Sequence, residues 1–221
     1  MWIKICANTN LEDALLAAAL GADAVGFVFA PSKRRVTTAQ VAAITPHLPA
    51  SIEKVGVFQS SDPEEIAEVV DQAGLTAVQL HGGVDLSLAT TLHHRLQGRV
   101  KIIQTVHWIV EANTSSADDV RQHLRKIADH PAIHHVLIDS KVGQSLGGTG
   151  ITFPWAEART VLAEFAPQLN LIVAGGLRPE NVASAIHELH PWGVDVASGV
   201  ELQPGQKDPQ KLADFIRIAR H

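Results

Sequence analysis

The sequence contains one cysteine, one methionine and no tyrosine, and aromatic residues make up only 5% of its 221 residues. A single cysteine excludes an internal disulfide and a zinc site built from cysteines. The formal net charge of -5 disfavours a nucleic-acid surface, which usually carries a basic patch. No apolar run approaches the roughly 20 residues that a membrane-spanning helix requires. We therefore expect neither nucleic acid nor a membrane as a partner.

The chain start also lacks the pattern of a secretory leader. The stretch MWIKICANTNLEDA turns polar after seven residues, so we expect no signal peptide and a cytoplasmic location. Histidine is abundant, with 12 residues. Most of these histidines fall on expected helix surfaces without the spacing of a metal-ligand set, so we expect no metal site.

What the sequence does contain is a repeated unit. Eight short runs rich in Val and Ile, each bounded by Gly or polar residues, are predicted strands. The runs span residues 2–7, 24–30, 54–58, 77–82, 100–108, 134–140, 171–176 and 193–199. Helical patterns lie between them, with Asn10 as an expected N-cap and with Pro63, Pro179 and Pro209 at expected first helical positions.

Strict alternation of strand and helix predicts parallel strands with helical crossovers. Eight units in 221 residues give about 28 residues each, which is typical of a compact single-domain (β/α)8 TIM barrel over residues 1–221. A doubly wound open sheet is the alternative, but no GxGxxG follows the first strand. In such barrels the chemistry lies at the carboxyl ends of the strands.

Two strand ends carry candidate catalytic groups. Cys6 ends strand 1, on the same face as Lys4, which we expect to point into the barrel. Asp139 ends strand 6 after three apolar residues, and a carboxylate there is costly unless it is used or paired. The structural alternatives are a buried thiol acting as a small hydrophobe and an acid that only tethers a loop. His81 ends strand 4, where a structural role is the better interpretation.

Most of the remaining candidates lie in loops whose composition suits binding of an anion. Glycines follow strands 7 and 8, where barrels often bind phosphate through backbone N–H groups; these residues are Gly175, Gly176, Ser198 and Gly199. Gly148 lies in a glycine-rich loop after strand 6. Three cations, Lys33 to Arg35, follow strand 2 and could hold a substrate carboxylate. Asp195, within strand 8, could contact ribose hydroxyls or pair with Lys4.

Several of these motifs together resemble one family. They are KICANTNLEDA, GADAVGFVFAPSKRRV, VGVF, VQLHG, LIDS…GGTG, AGGLRPENV and VDVASGVE…PGQKD. In this order and spacing they are similar to the phosphoribosylanthranilate isomerases of tryptophan biosynthesis. The resemblance covers essentially the whole chain.

The resemblance implies an Amadori rearrangement of N-(5-phosphoribosyl)anthranilate without metal or organic cofactor. It implies Cys6 as general base, Asp139 as general acid and Arg34 as the contact of the anthranilate carboxylate. It leaves the chain a monomer or a homodimer. For this chemistry near neutral pH, the pKa of Asp139 must rise and that of Cys6 must fall from their ordinary values.

One position departs from the family pattern, and two other functions stay open. The family usually has Gly where this chain has Ala7, which places the geometry of the first loop in question. Another phosphosugar isomerase and a non-catalytic barrel that binds a phosphorylated ligand are the alternatives. Turnover that depends on Cys6 and Asp139 would distinguish catalysis from binding alone.

Overall fold

The structure, a computed structural model, describes residues 1–110, 116–141 and 152–221. Eight parallel strands follow one another along the chain. These strands are β1 (Trp2–Ile5), β2 (Ala24–Val28), β3 (Glu53–Phe58), β4 (Ala77–Leu80), β5 (Lys101–Ile109), β6 (His135–Lys141), β7 (Leu171–Val173) and β8 (Gly193–Val196).

The sheet closes on itself. Each strand pairs with its sequence neighbour, and β1 also pairs with β8, with Lys4 opposite Asp195 in the register. All these pairings are parallel, so every strand ends at the same mouth of the barrel. The predicted (β/α)8 barrel is confirmed, and each predicted run overlaps its strand, although β3, β5 and β6 each extend one residue beyond their runs. The last residues of runs 7 and 8 belong to loops instead.

Helices cover the outside of the barrel in the described residues. They are α1 (Leu11–Ala19), α2 (Thr38–Ile44), α3 (Pro63–Ala73), α4 (Leu86–Arg95), α5 (Ala117–Ile127), α6 (Trp155–Phe165), α7 (Val182–Leu189) and α8 (Pro209–Arg220). None of the helices in these ranges combines the length and the apolar character needed to span a lipid bilayer.

Local sequence signals set most helix starts. Asn10 caps α1 by accepting from the Asp13 N–H, and Asp62 and Asp208 cap α3 and α8 ahead of a first-turn proline. The prediction that Pro179 begins α7 is wrong, because the helix starts at Val182. The Asn181 side chain accepts from the Arg178 N–H and donates to the Gly176 carbonyl, which folds residues 178–181 into a turn.

The core has two layers. Between the strands and the helices lies a continuous apolar layer. Inside the barrel, a small apolar cluster includes Val55, Ile103, Leu137 and Ile172. Lys4, Gln79 and Thr105 are also buried, and they contact polar partners. The barrel interior is therefore a packed plug beneath a polar layer, and not a pore.

One element was not predicted. After β8, a short 3-10 turn (Ser198–Val200) leads into an antiparallel hairpin of β9 (Glu201–Gln203) and β10 (Gln206–Lys207) before α8. Its strands are two and three residues long, too short for a hydrophobic pattern to reveal them. This hairpin lies beside the mouth of the barrel through its contacts with the Cys6 and Ala197 carbonyls.

Candidate active site

A cavity with an empty volume of about 830 Å³ opens at the carboxyl ends of the strands. Seven of the nine residues selected from the sequence line it: Cys6, Arg34, Asp139, Gly175, Gly176, Asp195 and Ser198. Gly199 is not in the lining, and Gly148 lies outside the described residues. These residues come from four strand ends, those of β1, β6, β7 and β8, and from the loop after β2, and they converge on one space.

Cys6 follows β1 and is 7% exposed. Its N–H donates to the Val196 carbonyl at 2.8 Å, which fixes the thiol beside β8. Gly26 of β2 leaves the room for it, since a Cβ there would lie 2.8 Å from Cys6 Sγ and 3.0 Å from Lys4 Cε. Gly26 was not selected from the sequence, because a glycine inside a strand does not indicate which neighbouring side chain requires the space.

Lys4 and Asp195 form a buried ion pair below Cys6, with 2.9 Å between Nζ and Oδ1. Of the two roles considered for Asp195, the structure has the pairing with Lys4, while its carboxylate also borders the cavity. Burial opposes the charge of Lys4, but Asp195 and Cys6 together outweigh burial and raise the pKa of Lys4.

The pKa of Cys6 does not move in the direction that the chemistry requires. Burial raises it, the Lys4 ammonium opposes this by stabilising the thiolate, and Asp195 adds to the rise. The expectation of a lowered pKa at Cys6 is therefore wrong. The physical reason is that a neighbouring cation already paired with a carboxylate offsets only part of the desolvation.

The pKa of Asp139 shifts in the expected direction. It is 7% exposed, and burial together with the nearby Asp195 carboxylate raises its pKa to about 7, against an opposing effect of Lys4. His81 Nε2 lies 3.9 Å from Asp139 Oδ2. The other ring nitrogen of His81, Nδ1, lies 3.3 Å from Thr105 Oγ1, which orients the ring toward Asp139. A carboxyl with this pKa can donate a proton at neutral pH.

A metal ion has one candidate set of ligands in the described part of the chain. His81, His107 and Asp139 each offer a ligand atom, and these atoms lie within 4.8 Å of one another. His107 Nε2 is 3.2 Å from the His81 carbonyl, and the two rings meet edge to face.

The glycine loops after β7 and β8 meet at the cavity. Gly175 and Gly176 have φ of 86° and 65°, which favours glycine, and a Cβ on Gly175 would lie 2.7 Å from the Ser140 nitrogen. Gly199 packs on the Leu177 backbone so closely that a Cβ would overlap its carbonyl oxygen. Among the described residues, the N–H groups of Gly175 and Gly176 have no hydrogen-bond acceptor. This arrangement suits an anion.

Arg34 reaches the cavity from the loop after β2, and its side chain is paired with Glu201. Its guanidinium donates to both carboxylate oxygens of Glu201, with Nε–Oε1 of 2.9 Å and Nη2–Oε2 of 2.6 Å. This hydrogen bonding raises the pKa of Arg34 and keeps it charged. Glu201 was noted only as part of a motif, and no sequence pattern indicates a contact that joins residues 34 and 201.

Ala7 turns the chain away from β1 in a left-handed conformation, with φ of 62°. This answers the question raised by the departure at this position. Asn8 secures the turn, since its Nδ2 donates to the carbonyls of Ile5 and Gly26 at 2.7 and 3.2 Å. The turn therefore forms with alanine, but the left-handed conformation brings the Cβ of Ala7 close to a backbone carbonyl oxygen, and this contact is strained.

The substitution Ala7→Gly is expected to stabilise the protein. Removing the Cβ relieves about 1–2 kcal/mol of strain in the left-handed conformation. The greater conformational entropy of glycine in the unfolded chain offsets about 0.5–1 kcal/mol of this gain. Thermal unfolding should show a melting temperature higher by about 2 °C. The matched control, Ala213→Gly in the middle of α8, should lower it. A decrease for both variants would show that φ at Ala7 is not a source of strain.

Comparisons with known proteins agree with this geometry. The family model of N-(5'-phosphoribosyl)anthranilate isomerase matches residues 3–218. The N-(5'-phosphoribosyl)anthranilate isomerase of Pelobacter propionicus is 38% identical over 219 residues, covering 99% of this chain and 95% of the relative. That of Thermotoga petrophila is 39% identical over 220 residues, covering 99% and 98%.

Solved structures of the same enzyme are similar in fold. The crystal structure of phosphoribosyl anthranilate isomerase from Thermotoga maritima has a TM-score of 0.82 and 36% identity, covering 100% of this chain and 98% of that one. A second structure, a complex with reduced 1-(o-carboxyphenylamino)-1-deoxyribulose 5-phosphate, has a TM-score of 0.79, 34% identity and the same coverage. The chain belongs to the N-(5'-phosphoribosyl)anthranilate isomerase family.

Proposed function

We propose that this protein converts N-(5-phosphoribosyl)anthranilate into 1-(2-carboxyphenylamino)-1-deoxyribulose 5-phosphate, an Amadori rearrangement of tryptophan biosynthesis. The observation that carries this proposal is that Cys6 and Asp139 line one cavity together with two glycine loops. Family membership supplies the substrate, because the relatives carry the name of this activity. The substrate is a small phosphorylated sugar, and the reaction uses no metal or organic cofactor.

In this mechanism Asp139 acts as the general acid. It donates its proton to the ring oxygen of the ribose, and the C1–O bond breaks with its electrons going to that oxygen. The lone pair of the anthranilate nitrogen forms C1=N, which gives an iminium ion. A carboxyl that is still about half protonated at pH 7 suits this step, and burial raises the pKa of Asp139 to about 7.

Cys6 then acts as the general base. The iminium ion acidifies the proton on C2, the thiolate removes it, and the resulting enolamine tautomerises to the C2 ketone. The Lys4 ammonium supports the thiolate against burial. Covalent catalysis by Cys6 is the less favoured role, because it usually requires a histidine base beside the thiol.

The rest of the site binds and orients the substrate. We assign the phosphate to the loops containing Gly175, Gly176 and Ser198, supported from behind by Gly199. Arg34 binds the anthranilate carboxylate, Asp195 borders the ribose, and Gly148 stays a prediction because it is outside the described residues. We also propose a cytoplasmic protein that is a monomer or a homodimer; one solved relative is titled as monomers generated from a dimeric isomerase.

Turnover of the substrate tests the proposal directly. Purified protein is mixed with N-(5-phosphoribosyl)anthranilate, and the loss of substrate fluorescence is followed with and without a chelator. We expect turnover that saturates with substrate and is indifferent to the chelator. Binding without turnover would instead favour a non-catalytic barrel, the alternative function.

The dependence of kcat/KM on pH is expected to follow the two pKa shifts. Asp139 must be protonated and Cys6 ionised, yet the pKa of Asp139 is raised only to about 7 while burial raises that of Cys6 above its ordinary value. The active protonation state is thus a minor one. Below pH 7 its population grows as Cys6 ionises, and between the two pKa values it is constant because Asp139 loses its proton as fast as Cys6 ionises.

We therefore expect kcat/KM to rise with pH up to an apparent pKa near 7, to level off, and to fall only above the pKa of Cys6. Steady-state rates between pH 5 and 10 at fixed ionic strength measure this profile. An acid limb with its midpoint near 4, the ordinary carboxyl value, would contradict the shift at Asp139.

A further inference from the structure

We propose that Glu201 is the positioning residue of Arg34 and determines how the site recognises the carboxylate of its substrate. This inference rests on the proposed function, in which Arg34 contacts that carboxylate. Glu201 is 7% exposed and begins β9. It accepts from Arg34 Nε with both oxygens at 2.9 Å and from Nη2 with Oε2 at 2.6 Å.

The loop that carries Arg34 fixes its backbone but not its side chain. The Arg34 N–H donates to Ser32 Oγ at 3.1 Å, while the neighbouring side chains of Pro31, Ser32, Lys33 and Arg35 are exposed and do not enclose the guanidinium. An arginine side chain that is free to rotate loses conformational entropy when it is immobilised. The pairing with Glu201 immobilises the guanidinium before substrate arrives. Binding of a carboxylate then no longer includes that cost.

The pairing uses one edge of the guanidinium only. Nε and Nη2 contact Glu201, and among the described residues Arg34 Nη1 donates to no acceptor. The side chain of Arg34 is 17% exposed and lines the cavity. A substrate carboxylate can therefore bind Arg34 without breaking its pairing with Glu201, and it can reach Nη1.

Glu201 is itself held in place from below. Its Oε1 accepts from the Gly205 N–H at 3.2 Å and lies 3.5 Å from Lys207 Nζ. Lys207 is buried, and its Nζ donates to the Cys6 carbonyl at 2.6 Å and to the Ala197 carbonyl at 3.4 Å. Glu201 thus connects Arg34 to the backbone that carries the thiol.

Charge alone does not explain the effect that we expect. Glu201 is negative, as is the substrate carboxylate, so removing Glu201 takes away a repulsion, although Arg34 and Lys207 lie against Glu201 and offset much of its charge. The weaker binding of a carboxylate that we expect on loss of Glu201 therefore comes from the lost orientation of Arg34, and not from charge.

The test separates carboxylate recognition from a general structural effect. KM and kcat are measured for E201Q and wild type with N-(5-phosphoribosyl)anthranilate and with N-(5-phosphoribosyl)aniline, which lacks the carboxylate. We expect KM for the anthranilate substrate to rise about tenfold or more, as for loss of a charge-assisted hydrogen bond. KM for the aniline substrate should change less than about twofold.

The matched control is E64Q, which breaks an exposed pair between Arg95 and Glu64 and should change neither KM. Glu201→Asp keeps a charge beside Lys207 but withdraws it from Arg34, so it should show the same preference for the aniline substrate, and it serves if E201Q does not fold. An equal loss with both substrates, or a loss confined to kcat, would overturn the proposal.

The outcome stays separable from failure of the proposed function. If wild type turns over neither substrate, that function is wrong. Calorimetry with reduced 1-(o-carboxyphenylamino)-1-deoxyribulose 5-phosphate then measures the binding affinity of the site independently of any catalysed reaction. An affinity of E201Q equal to that of wild type would count against the positioning role, and an affinity about tenfold weaker would support it.

Discussion

Replacing Asp139 with asparagine is expected to lower kcat by about 10²–10⁴-fold, the usual contribution of a positioned general acid or base. The amide keeps the shape of the buried side chain but has no acidic proton to donate to the ring oxygen. Cys6→Ser should cause a loss of similar size, because a serine hydroxyl ionises far less readily than a thiol. Single-turnover and steady-state rates of substrate fluorescence loss measure both variants.

The control for these substitutions is Asp71→Asn, which alters an exposed carboxylate paired with Arg99. Its kcat should match that of wild type. Affinity for the reduced product analogue should stay within about threefold in all three variants, since none removes a phosphate or carboxylate contact. Turnover that survives both Cys6→Ser and Asp139→Asn would refute the assigned acid–base pair.

Lys4→Met is expected to destabilise the protein by about 3–5 kcal/mol, the usual cost of removing one partner of a buried ion pair. The side chains of Lys4 and Asp195 are 0% and 10% exposed, so Asp195 would keep an uncompensated charge inside the barrel. For a chain of this length the melting temperature should fall by about 6–20 °C. Thermal and urea unfolding measure the loss.

Two further variants test the reason for this loss. The double variant Lys4→Met/Asp195→Leu removes both charges and should recover most of the stability, because no buried charge is left unpaired. Lys101→Met breaks a half-exposed pair with Glu53 and should cost less than about 1 kcal/mol. If the double variant were no more stable than Lys4→Met, lost packing, and not the unpaired charge, would be the cause.

Several features of the site followed directly from the order of residues. Cys6 lies just beyond β1 and Asp139 lies near the end of β6, and parallel strands bring all their carboxyl ends to one mouth. Knowing the fold class therefore sufficed to predict that these two side chains share a space. The glycines at positions 175 and 176 were predictable for the same reason.

Other features depended on neighbours that no local pattern contains. Helix α7 starts at Val182, and not at Pro179, because the Asn181 side chain donates a hydrogen bond to the Gly176 carbonyl in the preceding loop. The pKa of Cys6 rises where a fall was expected, because burial outweighs the opposing effect of Lys4, which is already paired with Asp195. Both results come from three-dimensional contacts that compete with a local preference.

By itself the sequence determined the barrel, the strand ends that form the site and the family to which the chain belongs. Periodicity and spacing are local properties, and eight repeats of one unit leave few ways to pack. Only the tertiary structure decided the raised pKa of Asp139, the contact of Arg34 with Glu201 and the left-handed backbone at Ala7. Burial and charge pairing depend on distances between residues far apart in the chain, and these distances exist only once the barrel has closed.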